Sequence, residues 1–569
     1  MVYTAISFAP VQGFIEKSRK LRDLYGASLI LSYLSRQLVN KAENELHLKV
    51  ISPGLPNIEK GMPNRILIKG KFERNDVQNT LLGQWQRILK ICRVWIEDHL
   101  GIPKNQYYWS DSEKANSKNT GEWEHWGNYT WEIFWGWGES VQAAMDDLET
   151  RKLKRDWIGM NWIGESSSLT GTDAIAWHKL GQPNTQPGRL LTPSEQNELE
   201  LFYRRLSWLL DNPNERVRKS SLSLEQLRNY EQDNPDQVGR YIAPNERLSI
   251  PELVKRLVTY DKIADQIGMT KLKKKPDDPE FKDINREAGY WTGWFMGDGD
   301  KVGDKLRTLA RDPNNSGKQD DQIQEFSDLI RNWGQNFGNQ QNLFPPGKAR
   351  VIYAGGDDFL GVLYSEETQN SEKPAKIKPI DTFDWLLTLP NYWQNLQQEI
   401  QDKLSLDFNF SVGFVWAGHQ VPQRDILQHC REAEKRAKSL GRNRVTIRVV
   451  FNSGQYVQWT CPWDHLDILN KYCDRDKKTG KQANWNHIYN DWNQLKSRHA
   501  IRLKNMENLE VNNEMALALF NLYFNKQGEN FKQERKWSEL TGDNTDLAIV
   551  NWINDLILVG WQLCRNSNI

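Results

Sequence analysis

The chain has 569 residues, with 75 basic and 74 acidic side chains, so its formal net charge is +1. At roughly 150 residues per domain, this length predicts two to four packed units. A content of 26% charged and 38% hydrophobic residues excludes intrinsic disorder. The balanced charge excludes bulk electrostatic attraction to nucleic acid, although a local basic groove is compatible with it.

The cysteines and the apolar segments indicate the cellular compartment. The five cysteines are scattered and form no CxxC pair. The sequence therefore predicts neither a zinc ribbon nor a disulfide framework, and reduced thiols in the cytoplasm are the simplest interpretation. The first residues lack a signal-peptide pattern, and no 18 apolar residues run together. We therefore expect a cytoplasmic protein that has no membrane partner.

The first 140 residues alternate between strand and helix patterns. In chain order, the predicted elements are a strand at 2–8, a helix at 12–45, strands at 47–51 and 65–71, a helix at 78–99 and a strand at 129–137. In the last strand, Trp131, Ile133, Trp135 and Trp137 alternate onto one face. The order β-α-β-β-α-β predicts a ferredoxin-like domain at 1–140.

The next segment, residues 141–287, predicts a mostly helical linker domain. Its clearest helices are expected at 193–210 and 250–267, with Pro and Asn clusters between them. Near its end, lysines at 271 and 273–275 precede a Pro-Asp-Asp sequence. A solvated loop explains this run better than a nucleic-acid patch.

The strand and helix alternation returns over residues 288–461. The predicted elements are a strand at 290–296, helices from 302 and at 322–337, a hairpin of strands at 349–354 and 359–364, a helix at 381–404, a strand at 408–416, a helix at 424–440 and a strand at 444–451. This order repeats the ferredoxin-like arrangement, and residues 462–569 have a helical pattern. The predicted fold class is α+β, with two ferredoxin-like domains, a helical linker domain and a helical C-terminal domain.

Two acidic turns carry the candidate chemistry. Asp298 and Asp300 follow the first strand of the second ferredoxin-like domain, and Asp357 and Asp358 form the tip of its hairpin. In this topology the first strand lies beside the hairpin, so we expect both turns at one sheet edge. Carboxylates gathered there repel one another unless a cation lies between them. Mg²⁺ prefers such oxygen ligands, and two ions can activate a hydroxyl and stabilise a leaving pyrophosphate.

Five glycines near the acidic turns fit a nucleotide. Gly297 and Gly299 allow the backbone to approach a phosphate, and Gly355 and Gly356 allow a tight turn with space beside it. The helix that starts around Gly303 presents free N–H groups to a triphosphate. An ordinary turn can also contain GGDD, but the second acidic strand end favours chemistry. The spacing GxGxxxG disfavours a dinucleotide-binding turn, and no P-loop motif occurs.

A helix, turn and strand at 433–445 supply a candidate phosphate ligand. Lys435 and Lys438 both lie on this helix, and a solvated helix face explains most lysines of this kind. Lys438 is the better candidate because it comes late in the helix, near the sheet edge where the hairpin turn is expected.

These segments resemble the palm of the nucleotide-cyclase superfamily. The stretch AEKRAKSLGRNRV is similar to the closing signature of GGDEF diguanylate cyclases. The whole chain more closely resembles the large subunit of type III CRISPR effector complexes, especially subtype III-B. The matching motifs are ISFAPVQGFIEKSRKLRDLYGAS at 6–28, GDGDKVGDKL at 297–306 and YAGGDDFLGVL at 353–363.

The resemblance implies a subunit that binds two ATP molecules between its palms and joins them into cyclic oligoadenylates when target RNA is bound. Its partners would be the other effector subunits, the guide RNA and the target RNA. By this resemblance, Asp298, Asp357 and Asp358 would hold Mg²⁺ or Mn²⁺, with Asp300 in support. Lys438 would touch the triphosphate while a 3′-hydroxyl attacks the neighbouring α-phosphate and pyrophosphate leaves.

The first palm is expected to bind ATP without catalysing. Its inter-strand loop at 52–60 carries no acidic pair equivalent to GGDD. We expect the turn from Ser7 to Gln12 to contact the bound nucleotide.

Two departures from the family pattern and two alternatives bear on this interpretation. The chain contains no His-Asp dyad of an HD nuclease domain, so we expect no cleavage of single-stranded DNA, and no cysteine-rich zinc site is visible.

One alternative is a diguanylate cyclase that uses GTP. Against it are the second palm, GGDD in place of GGDEF, and the lack of an RxxD motif at 346–354. The other alternative is a catalytically silent scaffold subunit.

Overall fold

The structure is a computed structural model that describes residues 2–53, 63–109, 121–154, 164–182, 190–212, 222–269, 290–311, 318–337, 349–365, 377–505 and 510–564. The chain divides into two compact units. One contains residues 1–283 and 307–328, and the other contains residues 284–306 and 329–569. The lysine run at 271–275 and most of the loop at 52–60 lie outside the described residues. The division into four domains stays a prediction.

The first unit contains a four-stranded antiparallel sheet. Its strands are β1 (Tyr3–Ala9), β2 (Lys49–Ser52), β3 (Arg65–Lys69) and β4 (Glu132–Gly138), in the spatial order β2-β3-β1-β4. Strand β1 occupies a central position, and its five inner residues are buried. This is the ferredoxin-like order that the sequence predicts.

Nine α-helices are described between residues 1 and 283. They are α1 (Val11–Glu16), α2 (Leu21–Asn40), α3 (Arg74–His99), α4 (Glu122–Tyr129), α5 (Val141–Leu153), α6 (Pro193–Asp211), α7 (Leu224–Asp233), α8 (Ile250–Leu257) and α9 (Asp261–Ile267). A π-helical turn (Lys41–Glu45) continues α2, and short 3₁₀ turns lie at Lys104–Gln106 and Pro235–Gln237.

Several of these boundaries differ from the expected ones. The predicted helix at 12–45 is interrupted, because the Asp23 carboxylate accepts hydrogen bonds from the backbone N–H groups of Arg19 and Lys20 and starts a new helix there. The predicted helix at 250–267 is split into α8 and α9 at an extended Tyr260. Helix α4 was not predicted. Strand β4 starts at Glu132, and Trp137 is exposed on this edge strand, unlike Trp135.

A buried ion network joins α2 to α8 in the first unit. Arg256 is completely buried and forms an ion pair with Asp23, which is also completely buried. Its Nη1 atom lies 3.1 Å from Glu246 Oε2 and donates to the Tyr241 carbonyl at 2.7 Å. Lys20 reaches the same Glu246 oxygen at 3.3 Å. Two buried carboxylates are thus balanced mainly by one guanidinium.

Close packing of α2 on α8 depends on Gly26. A Cβ atom at this position would lie 1.9 Å from the backbone oxygen of Lys255. Gly26→Ala is therefore expected to lower the free energy of unfolding by about 1–3 kcal/mol, measured by urea denaturation. Gly83→Ala in α3 is the control, because nothing lies within 4 Å of the added atom, and a stabilisation of about 0.5–1 kcal/mol is expected. Equal stability of the two variants would contradict this packing.

The second unit contains a six-stranded sheet. Its strands are β5 (Thr292–Gly299), β6 (Ala349–Ala354), β7 (Phe359–Leu363), β8 (Phe410–Ala417), β9 (Arg444–Val450) and β10 (Tyr456–Pro462), in the spatial order β10-β9-β8-β5-β7-β6. Strands β8 and β9 are parallel, and the other neighbours are antiparallel. The four strands from β8 to β6 repeat the ferredoxin-like order, and β9 and β10 extend it. Strand β10 was not predicted.

The remaining described helices follow in chain order. They are α10 (Val302–Arg311), α11 (Gln319–Phe337), α12 (Pro379–Thr388), α13 (Asn391–Leu404), α14 (Gln423–Ser439), α15 (Ile468–Lys471), α16 (Asn486–Ser497), α17 (Glu514–Tyr523), α18 (Gln527–Gln533), α19 (Trp537–Thr541) and α20 (Asp546–Cys564), with 3₁₀ turns at Trp463–His465 and Gly480–Gln482. The predicted helix at 381–404 is two helices, because Pro390 has no N–H for an intrahelical bond. The expected helical C-terminal segment is present.

Helix α20 has the length and mean hydropathy of a membrane span, at 19 residues and 1.4. It is the single such helix in the described part of the chain. Its apolar face packs inside the second unit, where the Trp552 Nε1 atom donates to the Thr460 carbonyl of β10 at 2.9 Å. Trp552, Ile553 and Leu556 are buried. These contacts are those of a core helix.

Candidate active site

The structure brings the two acidic turns together at one edge of the second sheet. Strand β5 lies between β7 and β8, and Gly297 pairs with Phe359 on one side and Val412 on the other. Beyond it, the Gly299 N–H donates to the Asp357 carbonyl at 3.0 Å. The Gly355 N–H donates to the Asp358 carbonyl at 3.0 Å and closes the GGDD turn. The end of β5 is therefore tied directly to the hairpin tip.

The predicted glycines have different roles. A Cβ atom on Gly299 would lie 2.9 Å from the Cβ atom of Asp357, so this glycine allows the two turns to approach. Gly356 has φ of 152°, a conformation that favours glycine. Gly303 is the second residue of α10. The Phe359 ring fills the space beside Gly297, 2.1 Å from where a Cβ atom would lie. Gly297 therefore allows close packing in the core, and its contact with a nucleotide stays a prediction.

Helix α11 packs against the GGDD turn through Arg331 and Gly334. The side chain of Arg331 is buried, and its Nη1 atom donates to the Gly355 carbonyl at 2.5 Å. Burial lowers the pKa of Arg331 to about 10. One turn on, a Cβ atom at Gly334 would lie 2.8 Å from the Ala354 carbonyl oxygen. The sequence predicts a role for neither residue, because an arginine in an amphipathic helix gives no sign that it points inward.

Asp300 braces the neighbouring turn. Its Oδ1 atom accepts a hydrogen bond from the Ser411 hydroxyl at 2.7 Å, and Oδ2 accepts one from the Asn443 backbone N–H at 2.8 Å. Burial raises the pKa of Asp300, and these two hydrogen bonds oppose the shift. Each oxygen accepts one hydrogen bond inside the protein, and the role of Asp300 as a metal ligand stays a prediction. Asp300 holds the turn between α14 and β9.

Lys438 lies among the carboxylates of the site. Its Nζ atom forms an ion pair with Asp298 Oδ2 and lies 2.6 Å from Glu434 Oε1. Burial by itself lowers the pKa of Lys438, but its ion pairs with Asp298 and Glu434 outweigh burial and raise it. The pKa of Glu434 is raised by burial, against the effect of Lys438. Glu434 is a third residue of the site that the sequence does not predict.

The carboxyl groups of Asp298, Asp357 and Asp358 crowd one another. Desolvation, a hydrogen bond with Asp298 and the charges of Asp298 and Asp357 raise the pKa of Asp358 well above its ordinary value. The Asp358 side chain is exposed, so its desolvation is incomplete. The repulsion from the neighbouring carboxylates also raises its pKa, and a bound cation can relieve this repulsion.

This donor set fits Mg²⁺ or Mn²⁺ by its chemistry, since both ions prefer carboxylate oxygens. Within the described residues, however, no three His, Cys, Asp or Glu side chains already surround one cation position. Lys438 supplies the positive charge beside Asp298 in this arrangement.

Ser7 and Gln12 belong to the first unit. Ser7 is buried in β1, and its Oγ atom lies 3.5 Å from Nδ2 of Asn64. Gln12 is exposed on α1. Their contact with a nucleotide stays a prediction.

Two segments of the chain match known protein families. Residues 291–446 match the family model of the second palm domain of Cas10/Cmr2, and residues 3–89 match the N-terminal domain of the CRISPR-associated protein Cmr2. Over these two segments the chain is similar to the Cas10/Cmr2 large subunit. The first match contains both acidic turns, Arg331, Glu434 and Lys438, and the second covers β1 to most of α3. Residues 291–446 thus match a palm domain family that has a nucleotidyl-cyclase type of fold.

The chain is also similar to solved structures at low sequence identity. A Csm1-Csm4 cassette in complex with pppApApA is similar at 13% identity and a TM-score of 0.47, over 99% of this chain and 69% of that chain. A Csm1-Csm4 cassette in complex with cA4 is similar at 13% identity and a TM-score of 0.43, over 99% and 70%. A type III-B Cmr-beta complex in the apo state is similar at 12% identity and a TM-score of 0.43, over 82% and 72%. No curated protein sequence matches the chain significantly.

Proposed function

We propose that this Cas10-like chain is the nucleotidyltransferase of a type III CRISPR effector complex, and that it converts ATP into cyclic oligoadenylates when target RNA is bound. The observation that carries the proposal is the pair of acidic turns, which the hydrogen bond from the Gly299 N–H to the Asp357 carbonyl joins, with Lys438 paired to Asp298 beside them. A scaffold has no need to hold such mutually repelling carboxylates at an open edge. Clusters of like charges that perturb one another's pKa values are typical of functional sites.

The residues of the second palm have distinct tasks in this proposal. Asp298, Asp357 and Asp358 would hold Mg²⁺ or Mn²⁺, which supplies charge for the attacking hydroxyl and the leaving pyrophosphate. Lys438 offers its ammonium to the triphosphate. The N-terminus of α10 offers backbone N–H groups to the same phosphates. Arg331 and Asp300 hold the two turns in place, so the carboxylates keep their relative positions.

The reaction forms one phosphodiester bond and breaks one phosphoanhydride bond per step. The 3′-hydroxyl oxygen of one ATP attacks the α-phosphorus of the next, the bond to the β-phosphate breaks, and pyrophosphate leaves. The hydroxyl proton passes to solvent. Repeated transfer and a final ring closure give the cyclic product.

The wider setting of the proposal follows from the family. The partners are the other type III effector subunits, the guide RNA and the target RNA, and the complex works in the cytoplasm. The first unit holds a substrate ATP near Ser7 and Gln12 without catalysing.

Mass spectrometry of the reaction products tests this function. The chain would be assembled with its neighbouring subunits, guide RNA and matching target RNA, and incubated with Mg²⁺ or Mn²⁺ and either ATP or GTP. Cyclic oligoadenylates from ATP are expected, and omission of target RNA should abolish them. Cyclic di-GMP from GTP would favour a diguanylate cyclase instead. No product from either nucleotide, with target RNA bound, would favour the silent scaffold.

A further inference from the structure

One ammonium group serves two carboxylates at the end of α14. The Nζ atom of Lys438 pairs with Asp298 and also lies 2.6 Å from Glu434 Oε1. The side chains of Lys438 and Asp298 are each 28% exposed, whereas that of Glu434 is 10% exposed. The ammonium therefore has one partner among the proposed cation ligands and a second, deeper partner outside them.

The backbone position of Glu434 is fixed by the sheet beneath it. A Cβ atom at Gly413 in β8 would lie 2.6 Å from the backbone nitrogen of Glu434, so α14 packs directly on the strand there. Glu434 precedes Lys438 by one helical turn, the spacing at which opposite charges meet on a helix. The Glu434–Lys438 ion pair can therefore persist when Lys438 no longer contacts Asp298.

A divalent cation at Asp298 must change this arrangement. The ammonium and the cation repel each other when both contact the same carboxylate, and at short range in a partly buried site this repulsion is large. Lys438 therefore has to leave Asp298 when the cation binds. Glu434 offers it an anion on the same helix, within reach of the space where phosphates would lie.

We propose that Glu434 is a positioning residue, which draws Lys438 away from Asp298 when a divalent cation binds and keeps the ammonium in the cleft. This inference rests on the proposed nucleotidyl-transfer function and extends it. Glu434 acts through Lys438 and touches neither the cation nor the nucleotide.

Direct measurement of cation binding tests the proposal without a need for turnover. Free Mn²⁺ would be followed by electron paramagnetic resonance during titration of the full-length chain, for the unaltered protein, Glu434→Gln, Lys438→Met and the double variant. Without the Glu434 charge, Lys438 competes more strongly for Asp298, so E434Q should bind Mn²⁺ about tenfold more weakly. K438M removes the competitor and should bind Mn²⁺ at least as tightly as the unaltered chain.

The double variant gives the decisive comparison. If Glu434 acts only through Lys438, E434Q should have no further effect in the K438M background, and the two affinities should agree within about twofold. Glu434→Asp keeps the charge and should restore most of the affinity. Glu432→Gln is the matched control on the same helix, because Glu432 is 44% exposed and pairs with Arg448. It should leave Mn²⁺ affinity unchanged.

Three outcomes overturn the inference. They are an unchanged affinity in E434Q, an equal loss in the K438M background, which would make Glu434 a direct cation ligand, and no Mn²⁺ binding by the unaltered chain. Failure of the proposed function has a different signature. In that case the Mn²⁺ affinities follow the expected pattern, but the assembled complex makes no cyclic product.

Discussion

Asp358→Asn is expected to reduce product formation from ATP by at least about 100-fold in the assembled complex, because the amide keeps the shape of the side chain but loses the charge that would hold the cation. The initial rate of pyrophosphate release, with product identity checked by mass spectrometry, measures this effect. Asp358 lies among Asp298 and Asp357, which raise its pKa together with desolvation. Removal of one of these repelling charges should leave the metal-free chain at least as stable as before.

The combination of lost activity and retained stability separates a site residue from a folding residue. Asp402→Asn is the matched control, since Asp402 is exposed on α13 and accepts a hydrogen bond from Gln398 at 2.7 Å. It should keep full activity. Normal turnover in D358N would rule out the proposed role of the GGDD turn, and a large loss of stability would mean that the turn serves the fold.

Arg256→Met is expected to destabilise the first unit by about 3–5 kcal/mol, because it leaves the carboxylates of Asp23 and Glu246 buried without their main counter-charge. Urea denaturation followed by circular dichroism measures the change. Arg228→Met is the control, because Arg228 pairs with Glu200 but is 49% exposed. The control should show little change, and an equal loss in both variants would contradict the importance of burial.

The same variant has a defined dependence on pH. Burial by itself raises the pKa of Asp23 and of Glu246, but the charge of Arg256 and hydrogen bonds to these groups outweigh burial and lower both pKa values. A lowered pKa gives stability that is present above the ordinary values of 3.8 and 4.5 and is lost as pH falls through the folded-state pKa. The stability gap between R256M and the unaltered chain should therefore be largest near neutral pH and shrink below about pH 4.

The features that the sequence predicts well depend on local patterns. The strands on either side of GGDD are short apolar runs beside turn residues, and the structure has them at Ala349–Ala354 and Phe359–Leu363. The ferredoxin-like order follows from the alternation of strands and helices in both units. The position of Lys438 late in a helix predicts that it lies near the hairpin turn, and the structure places it beside Asp298.

The features that the sequence does not predict depend on contacts between distant segments. Asp300 looks like its neighbour Asp298 in the sequence, but Ser411 and Asn443 bind its two oxygens from other strands and turns. Gly297 looks like a flexible turn residue until the Phe359 ring is seen to fill its space. Arg331 is buried only because α11 lies under the hairpin. No local pattern carries this information.

Segments of the two units alternate along the chain, and this order affects how each unit can fold during synthesis and how it can be expressed. The first unit contains residues 1–283 and then 307–328, while residues 284–306, with strand β5, already belong to the second. During synthesis, the first unit therefore waits for its last segment until β5 has left the ribosome, and β5 itself waits for its neighbours β7 and β8. No single cut in the gene yields the first unit as one continuous fragment, so studies of either unit need co-expressed pieces or a linker that replaces the segment of the other unit.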